Sequence, residues 1–387
     1  MTLFPVTTVG SWCRPPELVR ALRARQADEL PTEEFDSIAD EAVLTCLRYQ
    51  EDAGVDIVTD GEQRRDNFYS FVTEKLSGMK LMSVSELMEY MPDRAGFEEQ
   101  LRALDVPAFA IKSPVAVDTL ETTSGLAQDE AAFLQANTSK PIKIPIPGPY
   151  MLTRSAWFDG LSNDAYPTRD DLASEVVALL RNEIAALRDM GVEHIQLDEP
   201  TLTQVVYGEE STETFMCAAM ASRLDPTEEM DFALNLVNET VKDVDGVHLG
   251  VHVCRGNWSK REDVLLKGNY GPLLPHLMQM NIDQLVLEMA TPRAGEVDVF
   301  KEYRNEKEIG LGVVNPRSDE VEEVSTIVGR TEQMLEHFDP DRIYLNPDCG
   351  FGTFAERNVN TPDIAGRKLA AIGEAAQILR SKYGNSN

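Results

Sequence analysis

Short apolar runs that stop at glycine, proline or a carboxylate recur along the chain, with amphipathic stripes between them. Eight such runs are legible: Phe4–Val9, Val55–Thr59, Ile142–Ile146, Val192–Leu197, Val247–Val253, Ile282–Leu287, Ile309–Val314 and Arg342–Leu345. Short runs rich in Val, Ile and Leu, bounded by turn residues, read as buried strands. Stripes of helical period predict helices over Glu34–Ala53, Arg169–Met190, Glu228–Val241, Ser318–Phe338 and Pro362–Tyr383. The last of these opens with Thr361 as N-cap and Pro362 at its first position. Alternating strands and helices mean parallel β/α units, and eight of them predict an α/β chain of the (β/α)8 TIM-barrel class.

Between the second and third runs the chain is longer than one helix requires. Ser83–Tyr90 and Gly96–Ala103 read as helical, and Ala108–Val117 alternates like a strand. This predicts an insertion over about residues 78–140, lying across the barrel mouth as decoration or as a substrate lid. No internal repeat, low-complexity run or linker interrupts the pattern, so residues 1–387 read as a single domain.

Composition narrows the partners. The net charge of −30 argues against nucleic acid or an anionic membrane, since phosphate binding needs a cationic footprint. No apolar run approaches the ~20 residues needed to cross a bilayer. The start, Met1-Thr2-Leu3-Phe4-Pro5-Val6, lacks a basic stretch followed by an apolar one, so no signal peptide and a cytoplasmic location are expected. The five cysteines (Cys13, Cys46, Cys217, Cys254 and Cys349) lie far apart without a CxxC, which argues against a disulfide framework. Cys46 sits on a helical stripe and Cys217 in an apolar stretch, both as packing residues, and Cys13 ends a strand. Cys254 and Cys349 remain.

In a barrel of this class the active site lies at the C-terminal ends of the strands, and polar residues gather there. His252 and Cys254, two apart on the fifth strand, project to the same face. Alone, the pair reads as a satisfied core histidine beside an inert thiol. With Glu288 after the sixth strand and Cys349 after the eighth, one nitrogen, two sulfurs and a carboxylate face a common mouth, a donor set that tetrahedral zinc accepts. A zinc with four protein ligands must release one to do chemistry, and a carboxylate holds less firmly than a thiolate. Such a site suits activation of a thiol substrate. Asp60, Glu62, Asp198 and Glu199 stand at other strand ends and suit an ammonium group or support of the metal ligands. Arg64, Arg65, Arg255 and Arg317 lie just past strand ends, either to bind a carboxylate or as structural groups. His194 and His248 fall inside strands as core residues, and His276 and His337 lie on peripheral helices.

These motifs resemble the catalytic C-terminal barrel of the cobalamin-independent methionine synthases. The likeness is carried by Thr7-Thr8-Val9-Gly10-Ser11, Asp60-Gly61-Glu62, Pro147-Gly148-Pro149, Gln196-Leu197-Asp198-Glu199-Pro200, His252-Val253-Cys254, Leu287-Glu288 and Asn346-Pro347-Asp348-Cys349-Gly350. Asp60-Gly61-Glu62-Gln63-Arg64-Arg65 and Cys254-Arg255-Gly256-Asn257 look like the shorter, single-barrel members labelled methionine synthase II. The resemblance implies zinc on His252, Cys254, Glu288 and Cys349, activating homocysteine to take a methyl group from a methyl-folate such as 5-methyltetrahydropteroyltriglutamate. It also implies that Ser11, Glu62 and Asp198 hold the homocysteine amino and carboxylate groups, with Asp198 and Glu62 in catalytic roles.

Two features depart from the family. The second, N-terminal barrel of the full-length enzymes is absent, and the segment Val313-Val314-Asn315-Pro316-Arg317 lacks the histidine that the family carries after strand seven. A methylated corrinoid protein therefore fits as donor as well as a folate does. Two other expectations stand beside homocysteine methylation: a zinc-dependent transfer of a coenzyme M-type thiol to an epoxide, which the family also resembles, and a zinc-stabilised binding protein without turnover. An oligomer is compatible with the sequence.

Overall fold

The computed structural model describes residues 2–90, 95, 105, 112–207 and 225–384. Six of the predicted runs form one continuous parallel sheet in sequence order: β3 (Lys143–Pro147), β4 (His194–Asp198), β5 (His248–Val253), β6 (Gln284–Leu287), β7 (Glu308–Val314) and β8 (Ile343–Pro347). All residues of β3 and of β6 are buried, as expected for strands covered on both faces. Asp198 pairs with His252 in register, so two of the predicted site residues stand side by side at the sheet's C-terminal edge.

The first two runs, Phe4–Val9 and Val55–Thr59, do not form ladders. They contribute single parallel bridges, Val6 to Leu345, Thr7 to Ile57 and Val58 to Ile142. Side chains and prolines occupy the backbone groups that a ladder would use. Val6 N–H donates to Asp56 Oδ2 at 2.7 Å, while Gln50 binds both Thr59 N and Thr59 O, at 3.0 and 2.8 Å. Pro5 and Pro141 have no N–H to give. Leu345 and Ile142 are thus linked, through these two segments, at the two edges of the sheet.

The helices fall close to the sequence pattern: Thr32–Asp52, Arg169–Asp189, Pro226–Thr240 and Pro362–Tyr383. Phe35, Ala39, Val43 and Cys46 form the buried stripe of the first, which places Cys46 in the core. Thr361 caps the last helix, accepting from Ile364 N. The stripe over Ser318–Phe338 becomes helical only at Val324–Met334. Upstream, Glu322 accepts from Asn315 N at 2.7 Å and from Lys368 Nζ at 2.8 Å, and Asn360 donates to Pro316 O and Ser318 O. These bonds hold residues 315–322 as a loop.

Between the second segment and β3 lies an antiparallel pair, β1 (Leu76–Ser83) with β2 (Lys112–Thr122). Val84–Leu87 is helical, capped by Ser83 and Glu86, and continues as a 3-10 turn, Met88–Tyr90. The expected helix at Gly96–Ala103, the start of the strand at Ala108, and Cys217 lie outside the described residues. Val84 and Met88 share a buried apolar cluster with Cys254, Trp258, Cys349 and Phe354, so the insertion packs over the C-terminal strand ends. Asp105 adds a polar tie, accepting from Ser259 Oγ at 2.6 Å and pairing with Arg357.

Candidate metal and substrate site

At the end of β5, strand alternation turns His252 and Cys254 toward one cavity, and the turn after β8 brings Cys349 to them. The ligand atoms of His252, Cys254 and Cys349 lie within 4.8 Å of one another. His252 is buried and its Nδ1 lies 3.0 Å from Val286 O. A carbonyl accepts only, so Nδ1 carries a proton and Nε2 is the ring nitrogen left to face the thiols. That Nε2 is buried and has no hydrogen-bond partner. An orphaned imidazole nitrogen beside two thiols is what a soft-metal site requires of its protein. The Cys349 hydrogen bond and the neighbouring imidazole pull the Cys254 thiol well below its ordinary range, so Cys254 gives up the first proton of the pair.

Glu288, the fourth expected ligand, stands apart from this group. It is fully buried, and its Oε2 accepts from Arg255 N at 2.8 Å and Asn257 Nδ2 at 3.0 Å, while Oε1 pairs with Arg293. Asp348 fixes the same strand end from the other side, accepting from Met289 N at 2.8 Å and Ala290 N at 2.6 Å.

Ser11, Glu62 and Asp198 line the same cavity, together with Phe68, Trp258 and Phe354. Glu62 sits at the tip of a turn with φ 52°, preceded by Gly61 at φ 72°; its N–H donates to Asp60 Oδ1 at 2.9 Å. Its Oε2 is buried without a partner. Burial, reinforced by Asp198, pushes the Glu62 carboxyl up to about 8, against the pull of Arg65 and Arg14. Burial likewise lifts Asp198 to about 6, opposed by His252 and by the Gln196 amide that donates to Asp198 Oδ1 at 2.8 Å. Two acidic groups, one with an orphaned oxygen, in a largely apolar cavity can together hold a cationic group.

The remaining charged candidates each make structural bonds, although Asp60 Oδ2, Arg64 Nη1 and Arg317 Nη2 are buried without a hydrogen-bond partner. Glu199 accepts from Tyr150 N and Met151 N, both at 2.8 Å, and caps the helix Pro149–Ala156. Asp60 props the Glu62 turn. Arg64 pairs with Asp40, and Arg65 with Glu130 and Pro145 O. Arg255 donates to the carbonyls of Gly268, Glu288 and Ala294. Arg317 binds Asn257 Oδ1 at 2.8 Å and Glu262 Oε1 at 2.5 Å. His194 and His248 begin β4 and β5 and are only partly buried, because the first residue of each strand lies at the rim; their rings are 4.8 Å apart and His248 Nε2 meets Glu308 at 2.6 Å. His276 is near Asp231 at the surface, but His337 is buried in the turn after its helix. Sequence reasoning passed over Asn257, Arg293 and Asp348 as site residues. Asn257 and Asp348 stood inside quoted motifs, whereas nothing around Arg293 marks it.

Residues 4–365 match the family model for the catalytic domain of cobalamin-independent synthases. Proteins called methionine synthase from Sulfolobus acidocaldarius and Pyrococcus horikoshii are each 28% identical over 383 residues, covering 99% of this chain and 94% of theirs. Among solved structures, a B12-independent methionine synthase from a Shewanella species, in complex with selenomethionine, aligns with a TM-score of 0.74 at 22% identity, covering 98% of this chain and 99% of that one. A methyltransferase from Methanosarcina mazei aligns with a TM-score of 0.55 at 14% identity, over 97% and 94%. Both show a shared α/β fold with a parallel sheet.

Proposed function

The chain belongs to the cobalamin-independent synthase catalytic-domain family, and on that premise we propose that it methylates the thiol of homocysteine to give methionine, at a zinc ion held by His252, Cys254 and Cys349, with Glu288 as a releasable fourth ligand. The observation that carries this reading is the orphaned His252 Nε2 facing two thiols in the cavity that also holds Glu62 and Asp198. Bound zinc would lower the proton affinity of an incoming thiol and leave it nucleophilic. The residues of the chain do the rest. Asp198 and Glu62 flank the homocysteine ammonium, Ser11 takes the carboxylate with the backbone around it, and Phe68, Trp258 and Phe354 exclude water. The sulfur forms its bond to the methyl carbon as the donor's bond to that carbon breaks.

In the same reading residues 1–387 make one domain, the two bridged segments complete a closed (β/α)8 barrel, the insertion of about residues 78–140 covers its mouth, and the protein works in the cytoplasm. Two methyl donors fit: a methyl-folate, whose departing nitrogen needs a proton, and a methylated corrinoid, which does not. Arg317, in the segment where the family carries its histidine, is bound to Asn257 and Glu262 and supplies no such proton. The substituted segment after β7 also motivates a second reading, zinc-dependent addition of a coenzyme M-type thiol to an epoxide, whose opened oxygen takes its proton from solvent. Metal analysis tests the common premise: one zinc per chain is expected, lost on Cys254→Ser or Cys349→Ser. Full activity in a metal-free preparation overturns it.

A further inference from the structure

We propose that Arg293, with Asn257 and the Arg255 amide, forms a berth that receives the Glu288 carboxylate when a thiol takes its place on the metal. The proposal rests on the functional reading above and assigns Arg293 as a positioning residue. The geometry is specific. Glu288 is completely buried, yet both of its oxygens are satisfied away from His252, Cys254 and Cys349. A carboxylate buried off a metal needs a counter-charge, because desolvation of an unpaired anion is costly.

Arg293 supplies that charge from a fixed position. Its side chain is 5% exposed, its Nη1 donates to Leu266 O at 2.9 Å, and its Nε lies 3.3 Å from Glu262 Oε2. Glu262 in turn binds Arg317, and Arg317 holds Asn257, whose amide is the other side-chain donor to Glu288. The berth is therefore held together by the loops that follow β5, β6 and β7.

Two anchors for one carboxylate make ligand exchange nearly neutral in charge. A thiolate anion arrives as a carboxylate anion leaves, the thiol proton passes to solvent, and the departing carboxylate moves to a guanidinium instead of into an apolar void. Without Arg293, Glu288 loses its direct ion pair away from the metal and keeps only the Arg255 amide and Asn257, so an incoming thiol must displace it against a larger penalty.

The test measures homocysteine binding to the zinc-loaded protein by calorimetry, without a methyl donor. Arg293→Met is expected to weaken binding on the order of tenfold or more, with zinc still at one per chain, and Arg293→Lys to recover part of the loss. In a Glu288→Gln background Arg293→Met is expected to change nothing, because Arg293 acts through the carboxylate. A crystal structure of the zinc- and homocysteine-bound wild type is expected to show Glu288 within hydrogen-bond distance of Arg293. Unchanged binding in Arg293→Met, the same loss in the Glu288→Gln background, or Glu288 still on the zinc beside bound homocysteine overturns the berth alone. A zinc-loaded wild type that binds no homocysteine overturns the functional reading, and the berth with it.

Discussion

Replacing Glu62 with glutamine separates what this residue does for the fold from what it does for the substrate. The wild-type carboxyl is raised from its ordinary 4.5 to about 8, chiefly by burial, and one of its oxygens has no partner. A folded pKa above the unfolded one means that the folded chain keeps a proton that the unfolded chain has released. The associated stability is complete below pH 4.5 and is lost as pH rises through 8. At about 1.4 kcal/mol per pKa unit, the metal-free protein loses about 1 kcal/mol from this group by pH 5 and about 4 kcal/mol by pH 8. Glutamine keeps the shape without the titration. Glu62→Gln should therefore melt about 1 °C higher than wild type at pH 5 and about 5 °C higher at pH 8, for a chain of this length. Thermal scans of both proteins in chelator, at the two pH values, measure the difference. The same variant should bind homocysteine more weakly, the usual exchange of stability for function at a site residue. A variant that is destabilised, or stabilised equally at both pH values, would refute the reasoning.

Two further perturbations test the scaffold. Arg65→Met should destabilise the protein by about 3–5 kcal/mol in urea titrations, because it leaves Glu130 buried without the guanidinium that binds it; Arg65→Met with Glu130→Leu should recover most of that loss. Gly312→Ala would place a Cβ 2.6 Å from Leu287 O and 2.9 Å from Met289 N, so it should cost about 1–3 kcal/mol and lower zinc affinity by shifting the strand ends that carry Glu288 and Cys349.

The sequence pattern and the structure agree where burial sets the geometry. Runs three to eight are buried parallel strands, and strand alternation alone placed His252 beside Cys254 on one face. The pattern overreached at Phe4–Val9 and Val55–Thr59, where apolar content signalled burial but Pro5, Asp56 and Gln50 took the backbone groups that pairing needs. Ser11, Glu62 and Asp198 reach one cavity because each sits in the turn after its segment or at the end of its strand, and that was readable from position. Their protonation was not, since it depends on which charges burial brings together. Glu288 was readable as a donor, but its present partner was not: Arg293 lies in a short 3-10 turn with no motif, and only tertiary packing brings it to the carboxylate.

The most direct measurement supplies zinc-loaded protein with homocysteine and a donor carrying an isotopically labelled methyl group, either a methyl-folate or a methylated corrinoid, and analyses the product by mass spectrometry. The account predicts labelled methionine with at least one donor, abolished by Cys349→Ser and by removal of the metal. No labelled methionine from either donor, with the same protein joining a coenzyme M-type thiol to an epoxide, would contradict it.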